Sequence, residues 1–274
     1  MNAWWHRARW WPSSPAHGYP TATAAACWTR SGACNAAPQK ATVVLVHGAF
    51  ADASSWNGVI AGLKAEGYPV VAVANPLRSV KTDSDYVADI VEHTQGPVIL
   101  VGHSYGGSVI SNAVHGSNKV KALVYVAAFA PEKGETAFEL SGRYPGGTLG
   151  PTLDKPVVSK DGVTDLYIQQ DKFNSQFAAD VAPKEAQLMA AGQRPITEAA
   201  LKEASGDPAW KTVPSYFIYG SADKNIPEAA LKFMADRAGS KETVDVKGAS
   251  HVVMVSNPAR VVAIINDAAK ANAQ

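Results

Sequence analysis

The sequence predicts an α/β fold: a doubly wound, mostly parallel sheet of about six strands, carrying a helical insertion. Three observations predict it. Short runs of consecutive apolar and β-branched residues recur, as expected of strands buried on both faces of a parallel sheet. Segments with apolar residues at helical spacing alternate with them, which implies right-handed crossovers. One stretch, from Pro131 to about Ser205, breaks that alternation.

The regular pattern begins at Ala41. Thr42-Val43-Val44-Leu45-Val46 reads as the first strand, and Trp56, Val59, Ile60 and Leu63 recur at helical spacing after Ser54 and Ser55. Gly67 can end that helix. Val70 to Ala74 is a second strand, and Thr82 opens a helix that carries Tyr86, Val87, Ile90 and Val91. Pro97 to Val101 is a third strand running into Gly102-His103-Ser104-Tyr105-Gly106-Gly107, followed by a helix that stops near Gly116. Val120 to Ala127, Ser215 to Tyr219 and Thr243 to Val246 supply three more strands, with a helix from Pro227 between the last two. The final helix has Asn257 as its expected cap and Pro258 at its first position.

Residues 131–205 read as a lid inserted between the fourth and fifth strands. Pro-Gly stretches from Tyr144 to Pro156 precede short helical patterns around Leu166 to Phe177, Lys184 to Ala191 and Glu198 to Ala204. The organisation is then an irregular arm over residues 1–40, a core over 41–130 and 206–274, and the lid over 131–205.

With 46% apolar and 18% charged residues, the chain can bury a large core and is too apolar for disorder. A net charge of +1 offers no field for nucleic acid or a membrane surface. No apolar run reaches the roughly 20 residues of a membrane helix. The arm holds Trp4, Trp5, Trp10, Trp11 and Trp28 and both cysteines, Cys27 and Cys34. No apolar stretch of about 7–15 residues follows His6-Arg7-Ala8-Arg9, so a secretory leader is poorly supported. A cytoplasmic location is expected, with export on a degenerate leader as the alternative. The two cysteines read as incidental thiols.

Gly102-His103-Ser104-Tyr105-Gly106 is a G-x-S-x-G sequence. Its position between a buried strand and a helix is the context that this motif requires. A sharp turn there projects the serine hydroxyl, and the helix N-terminus offers N–H groups to a developing oxyanion. A phosphate-binding turn would want a Lys after the Ser or a G-x-G-x-x-G order, and neither is present. A serine hydroxyl needs a base. His6 and His17 lie in the arm, His93 and His115 near helix ends, and His103 should pack beneath the turn. His251 sits in a loop after the last strand, at the carboxyl edge where doubly wound sheets bind ligands. Asp223 follows the fifth strand at the same edge and would orient the imidazole. Glu132, after the fourth strand, is the rival acid. His47-Gly48-Ala49-Phe50 ends the first strand, so the N–H of Ala49, or less readily Phe50, can join that of Tyr105 as an oxyanion hole. His47 would hold the loop backbone.

Strand-His-Gly-Ala, Gly-His-Ser-Tyr-Gly-Gly, Gly-Ser-Ala-Asp-Lys-Asn-Ile-Pro and Gly-Ala-Ser-His, in that order, resemble the α/β-hydrolase superfamily. More narrowly, the chain is similar to compact esterases related to plant methyl esterases and hydroxynitrile lyases, over about Ala41 to Ala271. The resemblance implies Ser104 as nucleophile, Asp223 as acid, His251 as base, and Ala49 with Tyr105 as hole donors. It implies an ester of a small molecule as substrate and no metal or organic cofactor; from the charge and the apolar runs, no nucleic-acid or membrane partner is expected. Oligomeric state is open. A hydroxynitrile lyase, a perhydrolase and a non-catalytic ligand receptor on the same fold are the alternatives. In lyase relatives a Lys follows the base His and a Thr replaces the glycine of the His-Gly turn. Here Val252 and Gly48 stand at those places. Phe138, Leu140, Tyr144, Leu166, Tyr167, Phe173, Phe177, Leu188 and Met189 imply an apolar roof. Phe50, Phe173, Met189 and Val252 are the expected substrate contacts.

Overall fold

The structure, a computed structural model, describes residues 40–273 apart from His115. The arm of residues 1–39, with Cys27, Cys34, His6 and His17, lies outside the described residues.

In chain order the first half comprises β1 (Thr42–Val46), α1 (Asn57–Ala65), β2 (Val70–Val73), α2 (Val80–His93), β3 (Val98–His103), α3 (Tyr105–Asn112) and β4 (Val120–Val126). The insertion follows, with α4 (Ala137–Gly142), β5 (Val157–Val158), β6 (Thr164–Leu166), α5 (Gln170–Phe177), α6 (Pro183–Gly192), β7 (Ile196–Thr197) and α7 (Glu198–Lys202). The chain then returns through β8 (Ser215–Gly220), α8 (Glu228–Arg237), β9 (Glu242–Val246), α9 (Val253–Ser256) and α10 (Pro258–Ala271).

Six strands form one sheet in the order β2-β1-β3-β4-β8-β9, and every neighbouring pair is parallel. The apolar runs explain it. All five residues of β1 and all six of β3 are buried, because helices cover both faces. Strand β2 at one edge is only partly covered, and Val71 remains exposed. From β1 the chain crosses outward to β2 and then back over β1 to β3. The direction of winding therefore reverses between β1 and β3, and ligands bind at such a switch, beyond the carboxyl ends of the strands.

Three expectations need correction. Helix α2 starts at Val80 rather than Thr82, because Ser79 is the cap and its Oγ accepts from Thr82 N at 3.3 Å. Asn257 does not cap α10 with its side chain, which donates instead to Ser256 Oγ. The insertion is not purely helical: β5, β6 and β7 form a small antiparallel sheet. Strands of two or three residues leave no readable alternation in the sequence.

Candidate active site

Ser104 occupies the turn between β3 and α3 with φ 53° and ψ −122°, a conformation that L-residues rarely adopt. The surroundings enforce it. Its N–H donates to Val126 O at 3.3 Å, and its carbonyl accepts from Gly107 N at 2.9 Å and Phe129 N at 3.1 Å. The turn also needs bare backbone on its far side. A Cβ on Gly106 would lie 2.5 Å from Val46 O, so strand β1 and helix α3 approach too closely for any side chain there.

The turn after β1 lies against Ser104. A Cβ on Gly48 would fall 2.6 Å from Ser104 Cβ and 3.1 Å from Tyr105 N. His47 fixes this turn: Asn75 N donates to His47 Nε2 at 3.1 Å, so Nδ1 carries the proton and donates to Gly48 O at 3.0 Å. Burial holds the His47 pKa below the ordinary imidazole value, in keeping with this neutral role. Phe50 N, the less readily expected hole donor, is already engaged with Arg194 O at 2.9 Å.

His251 and Asp223 meet where the loops after β9 and β8 come together. Asp223 Oδ2 lies 2.6 Å from His251 Nδ1, and both side chains are almost wholly buried. Asp223 Oδ1 accepts from Asn225 N at 2.8 Å and Ile226 N at 3.0 Å, so the loop after β8 orients the carboxylate. That arrangement leaves Nε2 as the nitrogen of His251 with no hydrogen-bond partner among the described residues. Ser104 Oγ and His251 are not hydrogen-bonded to each other; such contacts are often long until substrate arrives. Phe177 stacks edge-on to His251 at 5.1 Å between ring centroids, and His103 lies 4.8 Å away on a second side. His103 is fully buried, donates from Nε2 to His251 O at 3.2 Å, and burial drives its pKa far down. It props the loop that carries His251 and does not border the cavity.

Glu132, the rival acid, points elsewhere. It pairs with Lys211 at 2.5 Å, which holds its carboxyl below the usual range.

Ser104, Tyr105, Ala49 and His251 border one cavity of about 250 Å³. Phe50, Phe129, Leu149, Leu153, Leu166 and Ile226 give it apolar walls. Among the expected roof residues, Phe138, Leu166 and Phe177 border it. Three expected substrate contacts do not. Phe173 is fully buried against Phe177, with ring centroids 4.9 Å apart. Val252 is buried beneath the base loop. Met189 borders a neighbouring cavity of about 320 Å³ beyond Phe50. A period of 3.6 marks a helix's apolar face without saying which residues cover core and which cover a cavity. The sequence reading also missed Glu198 and Lys202 on α7, a pair 2.5 Å apart at the cavity rim. Among the described residues, no helix is long and apolar enough to cross a membrane.

Residues 43–264 match the model of a family described as the alpha/beta hydrolase family. The chain is 27% identical over 240 residues to an alpha-hydroxynitrile lyase of Arabidopsis thaliana, covering 80% of this chain and 93% of that protein. It is 26% identical over 243 residues to esterase PIR7B of Oryza sativa subsp. japonica, covering 78% of this chain and 90% of the other. In structure it resembles polyneuridine aldehyde esterase with a TM-score of 0.73 at 18% identity, covering 84% of this chain and 99% of that one.

Proposed function

This chain belongs to the alpha/beta hydrolase family, and from that we propose that it is a serine esterase cleaving esters of small, largely apolar molecules. The observation that carries the reading is the convergence, at the β1/β3 switch, of a strained serine with an Asp-oriented imidazole on one apolar cavity.

In the proposed cycle, His251 Nε2 takes the Ser104 proton as Oγ attacks the ester carbonyl. The oxyanion lies between the N–H groups of Ala49 and Tyr105, and His251 then gives the proton to the leaving alcohol. Water repeats the sequence on the acyl-enzyme and releases the acid. Asp223 holds the imidazole with Nδ1–H towards itself and stabilises the imidazolium. The apolar walls suit a neutral acyl group.

The lyase relative favours a second reading, cyanohydrin cleavage, and the local chemistry argues against it. A departing cyanide needs a nearby positive charge. Val252 is apolar and buried, and Lys224 is exposed with its Nζ on Ser175 O at 2.9 Å. The rim cation Lys202 is paired with Glu198. Gly48 offers no hydroxyl, and a Cβ there would collide with Ser104.

Turnover of p-nitrophenyl acetate tests the reading. Ser104→Ala should remove about 10⁴-fold or more of it with the fold intact. The same protein should leave mandelonitrile uncleaved. Ser104-dependent release of benzaldehyde above the spontaneous rate would replace the esterase with a lyase. Ester turnover that survives Ser104→Ala would remove the nucleophile.

A further inference from the structure

Besides Ser104 and Ala127, two described non-glycine residues share an unusual feature. Phe50 has φ 59° and Leu77 has φ 62°. Such backbone costs on the order of 1–3 kcal/mol and persists only where the surroundings over-determine it. Both are bonded to the same short piece of the insertion. Phe50 N donates to Arg194 O at 2.9 Å, and Thr197 N donates to Leu77 O at 3.1 Å. Next to Leu77, Thr197 Oγ1 donates to Arg78 O at 2.8 Å.

Arg78 completes the connection with its side chain. Nη2 donates to Pro195 O at 3.0 Å, Nη1 to Asp165 Oδ1 at 2.7 Å, and Nε to Pro76 O at 3.2 Å. Its backbone N–H donates to both oxygens of Asp83, at 3.2 and 3.1 Å. Asp83 is fully buried, and its Oδ2 accepts from the phenol of Tyr105 at 3.0 Å. Tyr105, also fully buried, is the residue whose backbone N–H is the second donor of the proposed hole.

The Arg194–Thr197 segment is thus tied to both halves of that hole. One tie reaches the peptide that follows Ala49. The other runs through Arg78 and Asp83 to Tyr105. We propose that this segment of the insertion positions the oxyanion hole, and that Arg78 is the positioning residue that locks it to the Tyr105 side. The proposal rests on the esterase reading above. It assigns the insertion a second task besides walling the cavity: setting the two amides at the separation the oxyanion needs. A misplacement of about 1 Å in such a constellation costs on the order of 10²-fold in rate.

Arg78→Ala removes the side-chain bonds to Asp165, Pro195 O and Pro76 O and so loosens the segment's hold on Arg78, while the backbone bonds to Asp83 and Thr197 remain. With p-nitrophenyl acetate it should lower kcat by about 10- to 100-fold, less than deletion of a donor outright, and leave KM within about twofold. Affinity for a small trifluoromethyl ketone, which forms a hemiketal oxyanion on Ser104, should fall by the same factor as kcat. Asp165→Asn, which keeps shape and a weaker acceptor, should give a smaller drop of the same kind, and it serves if Arg78→Ala does not fold. A KM increase with kcat and ketone affinity unchanged would mean that the segment only shapes the cavity, and the inference would fall. Wild-type turnover matched by both variants would sink this inference alone. A wild-type protein silent towards both ester and ketone would sink the esterase reading, and the inference with it.

Discussion

The two walls of the cavity bordered by Ser104 and His251 are built on different terms. The core wall brings its chemistry from the ends of strands: Gly48 and Ala49 after β1, Ser104 after β3, Asp223 after β8 and His251 after β9. Each group sits within a few residues of a strand of the central sheet, and several are fixed by backbone bonds such as those on Ser104 O and Asp223 Oδ1. The insertion wall brings bulk. Leu149, Leu153 and Leu166 come from loops and a strand three residues long, held by packing and by long-range ties. The difference teaches that the proposed reacting groups sit in short local motifs, with a long-range tie through Arg78 to the insertion, whereas the cavity-lining residues of the insertion are placed by distant contacts alone. It also predicts that damage to the two walls will read differently: loss of rate towards every ester at the core wall and at the Arg194–Thr197 segment tied to it, altered preference among esters at the insertion residues that line the cavity.

The largest such effect should come from Asp223→Asn. It favours the wrong His251 tautomer and should lower turnover by roughly 10³–10⁴-fold for short and long esters alike. Glu132→Gln, at its surface pair with Lys211, should leave the rate within about twofold, as surface substitutions away from the chemistry do. Comparable losses in the two variants would break the assignment of the acid to the core wall.

A smaller effect, of a different kind, belongs to the insertion. Phe138→Ala and Leu153→Ala enlarge the apolar cavity and should shift the hexanoate-to-acetate preference by about tenfold, since a methylene or two in an apolar pocket is worth ~1–3 kcal/mol. Met189→Ala, bordering the neighbouring cavity, should not move that ratio. Equal losses on acetate and hexanoate would show that this wall is not the selective one.

The same division explains what the sequence disclosed. Strand runs such as Val43–Val46 and Val98–Val101 are continuous because both faces are buried, and the motifs that follow them are short and contiguous. Their placement needed no knowledge of distant contacts. The insertion gave less. Phe173 and Met189 carry the same apolar signal as Phe138 and Leu166, yet one fills core and the other faces a second cavity. Arg78 and Asp83 had no legible signal either. Their roles depend on Asp165, Pro195 and Tyr105, residues 22 to 117 positions away.

Acid should probe the core wall by itself. His47 and His103 are buried and neutral, with folded pKa values below those of the unfolded chain. Their contribution to stability is therefore full above about pH 6.5 and is lost as pH falls below it, at up to ~1.4 kcal/mol per pH unit for each imidazole. Residues 131–205 contain no histidine. The melting temperature should fall more steeply below pH 6.5 than between pH 7 and 8, with ester preference unchanged while the protein stays folded. A flat melting temperature down to pH 5 would contradict the buried neutral pair, and a shifting preference would place the acid response in the insertion.

Most directly, the central claim is tested by the intact mass of the chain after reaction with an alkyl fluorophosphonate. A serine activated by His251 and facing the Ala49 and Tyr105 amides should take up one phosphonyl group, located by peptide mapping on Ser104. The adduct should be absent in Ser104→Ala and form far more slowly in Asp223→Asn. An unmodified wild-type chain, or an adduct mapped to another residue and retained in Ser104→Ala, would contradict the account.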